Sequence, residues 1–98
     1  PILATARNLA MAGASTGAAA RNWQSYGHEV RLPADIEPWQ QSILCDPQTS
    51  GGLLVACAPQ EADSVLAMFH DHGFKAAARL GEMMAGEVEV RALSGQEA

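Results

Sequence analysis

The sequence has 98 residues and a formal net charge of −5 at pH 7; 48% of its residues are hydrophobic, 17% are charged and 5% are aromatic. This balance predicts one small globular domain, or part of one, and excludes a disordered chain. The acidic charge without a Lys/Arg cluster excludes non-specific nucleic-acid binding, and no apolar run approaches the roughly 20 residues of a membrane span.

The N-terminal half is predicted to contain two helices separated by a long loop. Apolar residues three and four positions apart predict a first helix over residues 2–11, with Gly13 as its C-cap. Residues 14–33 show no periodicity, so we interpret them as a long ordered loop with room for one turn of helix. Acidic residues ahead of Pro38 predict a short helix that ends near Leu44.

The C-terminal half is predicted to contain three strands and one helix. Residues 53–58 form an uninterrupted apolar run, which is typical of a strand covered on both faces. Pro59 and Gly73 predict the start and the cap of a helix with an apolar stripe at Ala62, Val65, Leu66 and Phe69. Residues 74–80 and the alternating residues 87–93 are predicted to form an antiparallel hairpin. The fold class expected is α/β (α+β), with helices packed on a mixed, partly antiparallel sheet.

Residues 45–57, which read CDPQTSGGLLVAC, join a polar turn to the apolar run. Gly51 and Gly52 permit positive φ or the close approach of another backbone. The N–H groups of Thr49, Ser50 and the two glycines could form an anion-binding concavity. The glycines precede a strand and no lysine follows them, so this is not a Walker motif. A phosphate-lining turn and a structural turn both remain open.

The predicted loop carries the other candidate ligand-binding residues. Arg21 and Asn22 could meet phosphate or a partner domain, or they could be a surface arginine and a turn asparagine. Trp23, Tyr26 and Trp39 could stack on adenine, but aromatic residues near a glycine-rich loop more often anchor that loop.

No metal site is predicted from the sequence. Asp46 could bind Mg²⁺, but a lone carboxylate is a poor magnesium site, and an Asp before a turn more often caps it. His70 and His72 stand two positions apart on a helix and so face different directions. Cys45 and Cys57 lack the spacing of a zinc site or disulfide framework, which favours reduced thiols. The apolar neighbours of Cys57 predict a buried, unreactive thiol.

Two stretches carry a resemblance to a known family: DPQTSGGLL at residues 46–54 and RNWQSYG at residues 21–27. Together they resemble the C-terminal part of selenophosphate synthetase (selenide, water dikinase), a family in one superfamily with aminoimidazole ribonucleotide synthetase. The resemblance implies a C-terminal domain of that superfamily's fold. It also implies an enzyme that converts ATP, selenide and water into selenophosphate, AMP and phosphate with Mg²⁺.

The resemblance further implies that this chain holds no catalytic residue and no metal ligand. In the family, the reactive Cys or selenocysteine and its Lys partner belong to an N-terminal segment absent from this sequence, and the metal-binding acids lie chiefly upstream. Residues 1–98 are therefore expected to be a single or partial domain of a longer chain, inactive alone. The residues that could line an ATP cleft are Arg21, Asn22, Thr49, Ser50, Gly51 and Gly52.

The expected partners are the protein's own N-terminal ATP-binding domain and a second copy, through a homodimer or self-association. Neither a nucleic acid nor a membrane is expected as a partner, and the expected location is the cytoplasm. The residues alone also allow another class of function, because they contain no acid/base pair or nucleophile arrangement. In that alternative, a non-catalytic α/β module binds a partner protein or a small metabolite through the TSGG turn and the aromatic loop.

Overall fold

The computed structural model describes residues 1–94, which divide into two compact units. The larger unit comprises residues 2–50 and 86–94, and the smaller unit comprises residues 51–85 together with Pro1. The predicted extent of the domain, residues 1–98, stays a prediction, and its last four residues lie outside those described. The elements are α1 (Ala4–Met11), α2 (Gly17–Tyr26), β1 (Val30–Arg31), α3 (Pro38–Leu44), α4 (Ala62–Asp71) and β2 (Val90–Arg91).

The larger unit is built on three helices, in which α3 packs against both α1 and α2. Its buried apolar residues are small: Ala10 in α1, Ala19 in α2 and Cys45 at the end of α3. Alanine and cysteine side chains bury little apolar area, and hydrophobic stabilisation scales with the area removed from water. The core within this unit is therefore thin, as the alanine-rich composition suggests.

The first helix ends at Met11, and Gly13 lies just beyond its end, as predicted. Gly13 has φ +97°, and its N–H donates to the carbonyl of Ala10 at 2.9 Å. The N–H of Ala14 donates to the carbonyl of Leu9 at 3.0 Å. This pair of bonds is the Schellman motif, in which glycine adopts the left-handed conformation that satisfies the last carbonyl groups of the helix.

The third helix also forms as predicted, from Pro38 to Leu44. Its N-cap is Glu37, whose side chain accepts a hydrogen bond from the backbone of Gln40. The Gln40 side chain accepts the Glu37 N–H in return, at 2.8 Å. This reciprocal capping box satisfies two N–H groups that the helix itself leaves unpaired.

The predicted loop over residues 14–33 is wrong, because ten of its residues form α2. Thr16 is the N-cap, and its Oγ1 accepts the N–H of Ala19 at 3.1 Å. Alanine has the strongest intrinsic helix preference, and three alanines follow the first residue of the helix. The inner face includes polar Asn22 beside Ala19 and Trp23, so the hydrophobic periodicity is interrupted.

The two described strands pair in parallel, with Val30 opposite Val90 and Arg31 opposite Arg91. The predicted antiparallel arrangement is therefore wrong, although the mixture of helices and strands agrees with α+β. Residues 74–80 form no strand, so the predicted hairpin lacks its first half. The alternation in residues 87–93 becomes a strand only at its centre, where it pairs with a segment far earlier in the chain.

Glu89 joins the two strands through its carboxylate. Its Oε1 lies 2.6 Å from the Arg91 guanidinium and its Oε2 lies 3.2 Å from Arg31 Nε. The hydrogen bond from Arg91 lowers the pKa of Glu89 below its ordinary value, and the contacts with Arg31 act in the same direction. The ionised carboxylate thus favours the paired arrangement.

The smaller unit contains the helix predicted from the apolar stripe. A 3₁₀ helix (Pro59–Glu61) leads into α4, and Gly73 beyond its end has φ +93°. The N–H of Phe74 donates to the carbonyl of Phe69 at 3.0 Å, as a Schellman motif requires. The rings of these two phenylalanines lie 6.3 Å apart at 71°, an edge-to-face contact that stabilises the cap.

The predicted buried strand over residues 53–58 is wrong within the described structure. The segment has no strand assignment, and Leu53 and Leu54 are 77% and 80% exposed. An unbroken apolar run indicates that a segment favours burial, but it does not supply the neighbouring strands that burial needs. Within residues 1–94, no strand pairs with this segment.

Candidate functional site

The polar turn begins where α3 ends, and the Asn22 side chain of α2 is hydrogen-bonded to the backbone at this junction. Asn22 Nδ2 donates a hydrogen bond of 2.8 Å to the backbone carbonyl of Cys45, the C-cap residue of α3. The last carbonyls of a helix have no partner inside the helix, so they require donors from elsewhere. Asn22 was predicted as a phosphate-lining residue; the structure gives its amide a partner inside the chain, and ligand contact stays a prediction.

Asp46, the first residue of the turn, has hydrogen bonds to both of its carboxylate oxygens. Gln48 Nε2 donates to Oδ2 at 2.8 Å, and Thr16 Oγ1 donates to Oδ1 at 3.4 Å. The second distance is long for a hydroxyl donor, so this bond is the weaker one. These two hydrogen bonds from side chains stabilise the start of the turn.

Magnesium does not fit the residues present. A Mg²⁺ site needs several oxygen ligands in a near-octahedral arrangement. No group of three acidic, histidine or cysteine side chains converges in the described part of the chain. Asp46 is a single carboxylate that already accepts two hydrogen bonds. No step of a reaction is therefore assigned to a metal held by these residues.

The four residues of the TSGG stretch are exposed, and the division between the two units falls inside them. Thr49 and Ser50 form a turn in the larger unit, whereas Gly51 and Gly52 belong to the smaller unit. Gly52 does not have positive φ, and a Cβ added to it would meet no atom of residues 1–94 within 4 Å. In this structure Gly52 uses neither the positive φ nor the close backbone approach that its lack of a side chain permits.

Arg21 lies on the exposed side of α2 and folds back over the start of the helix. Its Nη1 lies 3.2 Å from the position that a Cβ on Gly17 would occupy. Within residues 1–94 it forms no ion pair with a carboxylate. Because Gly17 has no side chain, the Arg21 guanidinium group can lie close to the helix backbone. Its N–H groups stay available to a ligand.

Trp23 and Tyr26 both contact parts of the larger unit. The Trp23 ring packs so closely on Gly27 that a Cβ there would lie 2.8 Å from two ring carbons. Partial desolvation of its hydroxyl raises the pKa of Tyr26, and the neighbouring Cys45 acts in the same direction. These contacts fit the interpretation of the aromatic residues as anchors of the segment, which is a helix rather than a loop.

Trp39 lies beside an open cleft of 320 Å³ between the end of α1 and the start of α3. Its Nε1 donates to Glu37 Oε2 at 2.6 Å, and the Arg7 guanidinium carbon lies 5.8 Å from the ring centre. A cation at this distance is attracted to the face of the indole ring. This cleft could not be predicted from the sequence, because its lining comes from two helices about 25 positions apart.

The histidine pair contacts two different backbone carbonyls. His70 Nε2 lies 2.9 Å from the carbonyl oxygen of Ala77, and His72 Nδ1 lies 2.8 Å from that of Met68. Both contacts belong to the smaller unit. The two rings hold the residues around the end of α4 in place.

The cysteines are arranged in the opposite way to that expected. Cys45 is buried, whereas Cys57, predicted to be buried by its apolar neighbours, is exposed. Both thiols are free. The difference follows from residues 53–58, which have no cover in the described structure.

A family comparison identifies the chain's class. Residues 6–93 match the family described as "AIR synthase related protein, C-terminal domain". Since the match covers most of the sequence, the chain belongs to this family. None of the helices in residues 1–94 combines the length and the hydropathy that a membrane crossing needs.

Several curated relatives are named "Selenide, water dikinase". The chain is 53% identical to one from Burkholderia pseudomallei (strain K96243) over 90 residues, covering 92% of this chain and 25% of the relative. It is 49% identical to one from Dechloromonas aromatica (strain RCB) over 87 residues, covering 89% and 25%. It is 46% identical to one from Rhizobium meliloti (strain 1021) over 94 residues, covering 96% and 27%. The resemblance noted in the sequence is confirmed.

The chain spans about a quarter of the length of the curated relatives it matches. No solved structure matches it.

Proposed function

We propose that this chain is part of the C-terminal domain of a selenide, water dikinase, which converts ATP, selenide and water into selenophosphate, AMP and phosphate. The observation that carries the proposal is identity of 46–53% over about nine-tenths of the chain to relatives with that name. Identity at this level across both units favours a shared role over a shared fold alone.

Within such an enzyme, we assign the chain a supporting role at the ATP site. The exposed hydroxyls of Thr49 and Ser50, and the guanidinium of Arg21, which forms no ion pair within residues 1–94, are the groups available to line a phosphate-binding cleft. Magnesium ligands and the chalcogen-handling residue would come from other parts of the longer polypeptide, since the residues described form no metal cluster. The 98-residue chain alone is therefore proposed to be inactive.

The partners we propose are the protein's own N-terminal ATP-binding domain and a second copy of the protein. The exposed apolar run at residues 53–58 supports this assignment, because monomeric proteins rarely leave such a segment uncovered. We place the enzyme in the cytoplasm, where free thiols such as those of Cys45 and Cys57 stay reduced.

The test is AMP formation by the full-length protein with ATP, Mg²⁺ and selenide, with the 98-residue chain measured beside it. We expect selenide-dependent AMP from the full-length protein and none from the chain alone. Omission of selenide is the control for ordinary ATP hydrolysis. A full-length protein that binds ATP but forms no AMP in response to selenide would contradict the proposal and favour a non-catalytic binding module.

A further inference from the structure

Two contacts reach the point where the polar turn leaves α3, one from α2 and one from its N-cap residue, Thr16. The stronger one is the 2.8 Å hydrogen bond from Asn22 Nδ2 to the Cys45 carbonyl, which is partly buried and joins residues 23 positions apart. The weaker one is the 3.4 Å contact between Thr16 and the next residue, Asp46, at the surface. The consecutive residues Cys45 and Asp46 are therefore hydrogen-bonded to α2 and to its N-cap residue, respectively.

The Asn22 carboxamide supplies a donor that α3 does not provide for itself. The last turn of α3 contains no basic residue, and its C-cap is Cys45 rather than a glycine in the left-handed conformation. Helices that lack both of these features need another partner for their final carbonyls. A neutral carboxamide can donate there without bringing a charge into a partly buried place.

The donor lies on a helix that packs against α3. Ala19, three residues before Asn22, is 3% exposed. The Trp23 ring, next to Asn22 in the sequence, packs on Gly27 at the end of the same helix. The hydrogen bond therefore joins the end of α3 to a helix that already packs against it.

We propose that Asn22 is a positioning residue for the substrate-facing turn: its hydrogen bond to Cys45 fixes where residues 46–50 leave α3. It thereby sets where the Thr49 and Ser50 hydroxyls stand relative to the phosphates of ATP. This inference rests on the proposed function and deepens it. It assigns to Asn22 an action through the backbone in place of direct contact with phosphate.

The test compares Asn22→Ala and Asn22→Asp with the matched control Gln24→Ala, an exposed position on the same helix, all in the full-length protein. Loss of one partly buried hydrogen bond is expected to raise the KM for ATP about tenfold while kcat changes less than about twofold. The Asp46 N–H donates to the Ile43 carbonyl at 3.2 Å, and its hydrogen exchange is expected to become about tenfold faster in Asn22→Ala. Gln24→Ala should leave both quantities unchanged.

Asn22→Asp adds a readout that a general loss of stability would not reproduce. An ionised carboxylate cannot donate to the Cys45 carbonyl, whereas a protonated one can. The ratio of its KM to that of the wild-type protein should therefore fall as the pH is lowered. The corresponding ratio for Asn22→Ala should stay constant.

Two results separate this inference from the proposed function. If Asn22→Ala lowers the melting temperature but leaves the KM for ATP and the exchange of the Asp46 N–H unchanged, Asn22 is structural only and the inference is overturned. If the wild-type full-length protein forms no AMP with selenide, the proposed function fails. The exchange measurement then still decides whether Asn22 positions the turn.

Discussion

Residues 53–58 predict that the 98-residue chain, expressed alone, associates with itself, and that Leu54→Lys weakens this association. Leu53 and Leu54 are 77% and 80% exposed, and Val55 is 44% exposed. Monomeric proteins rarely expose a contiguous apolar segment of this kind, and covering it with a second copy removes its apolar surface from water.

The expected size of the effect follows from one side chain. Leu54 is 80% exposed, so nearly all of its surface is available to a partner. Burying a leucine side chain contributes roughly 1.5–3 kcal/mol, which corresponds to about a 10- to 150-fold change in dissociation constant. Lysine at this position removes that contribution and places a charge in the interface.

Sedimentation velocity over a range of concentrations measures the association directly. The matched control is Met83→Lys, which adds the same charge at another exposed position, outside the run. We expect the wild-type chain and the control to associate at concentrations where Leu54→Lys stays monomeric. A wild-type chain that remains monomeric at high concentration and unfolds cooperatively would refute the reasoning, because residues 1–98 would then complete a core by themselves.

Three further predictions concern stability. Gly27→Ala should lower the free energy of unfolding by about 1–3 kcal/mol, because the new Cβ would lie 2.8 Å from the Trp23 ring. The control in thermal unfolding is Gly52→Ala, whose new Cβ meets no atom of residues 1–94 within 4 Å. Equal melting temperatures of the two variants would contradict the packing of Trp23 on Gly27. Thr16→Ala should lower the free energy of unfolding by about 1 kcal/mol, because α2 loses its N-cap, whereas Thr16→Ser should largely keep the cap and the stability. Urea unfolding followed by circular dichroism measures both variants. The pKa of Glu89 is lower in the folded protein than its ordinary value of 4.5, so the ionised carboxylate stabilises the fold at pH values above 4.5, and this stabilisation is lost as the pH falls through the folded-state pKa. The stability of Glu89→Gln should therefore depend less on acid pH than that of the wild-type protein. Identical changes in urea midpoint between pH 7 and pH 3 in both proteins would count against the ion pairs.

Those parts of the fold that depend on short-range chemistry could be predicted from the sequence. Gly13 and Gly73 end their helices in the left-handed conformation, as each glycine after an apolar helical pattern predicts. Pro38 similarly starts α3. In each of these places the determining residues lie within four or five positions of one another.

Parts that depend on distant residues could not be predicted. The pairing of β1 with β2 joins segments that hold no common pattern, and alternation in residues 87–93 does not reveal a partner or its direction. The α2 helix was missed for another reason: Asn22 occupies its inner face because it caps α3, and a polar residue there interrupts the apolar spacing.

Of the candidate site, the sequence named Asn22 and the TSGG turn as possible phosphate-lining residues, which stays a prediction, but it did not reveal the hydrogen bond between Asn22 and Cys45. The hydrogen bond depends on how α2 packs against α3, which spacing along the chain does not reveal. Thr16 carried a usable signal, since a threonine before an alanine-rich run is a common N-cap. Gln48 carried none.

The parallel pairing of β1 with β2 has a consequence for synthesis on the ribosome. Val90 follows its partner Val30 by 60 positions, so β1 leaves the ribosome well before its partner exists. At elongation rates of about 5–20 residues per second, this delay is roughly 3–12 seconds. During that interval the edge of β1 is open to any other extended segment, including the apolar residues 53–58 that are made in the meantime.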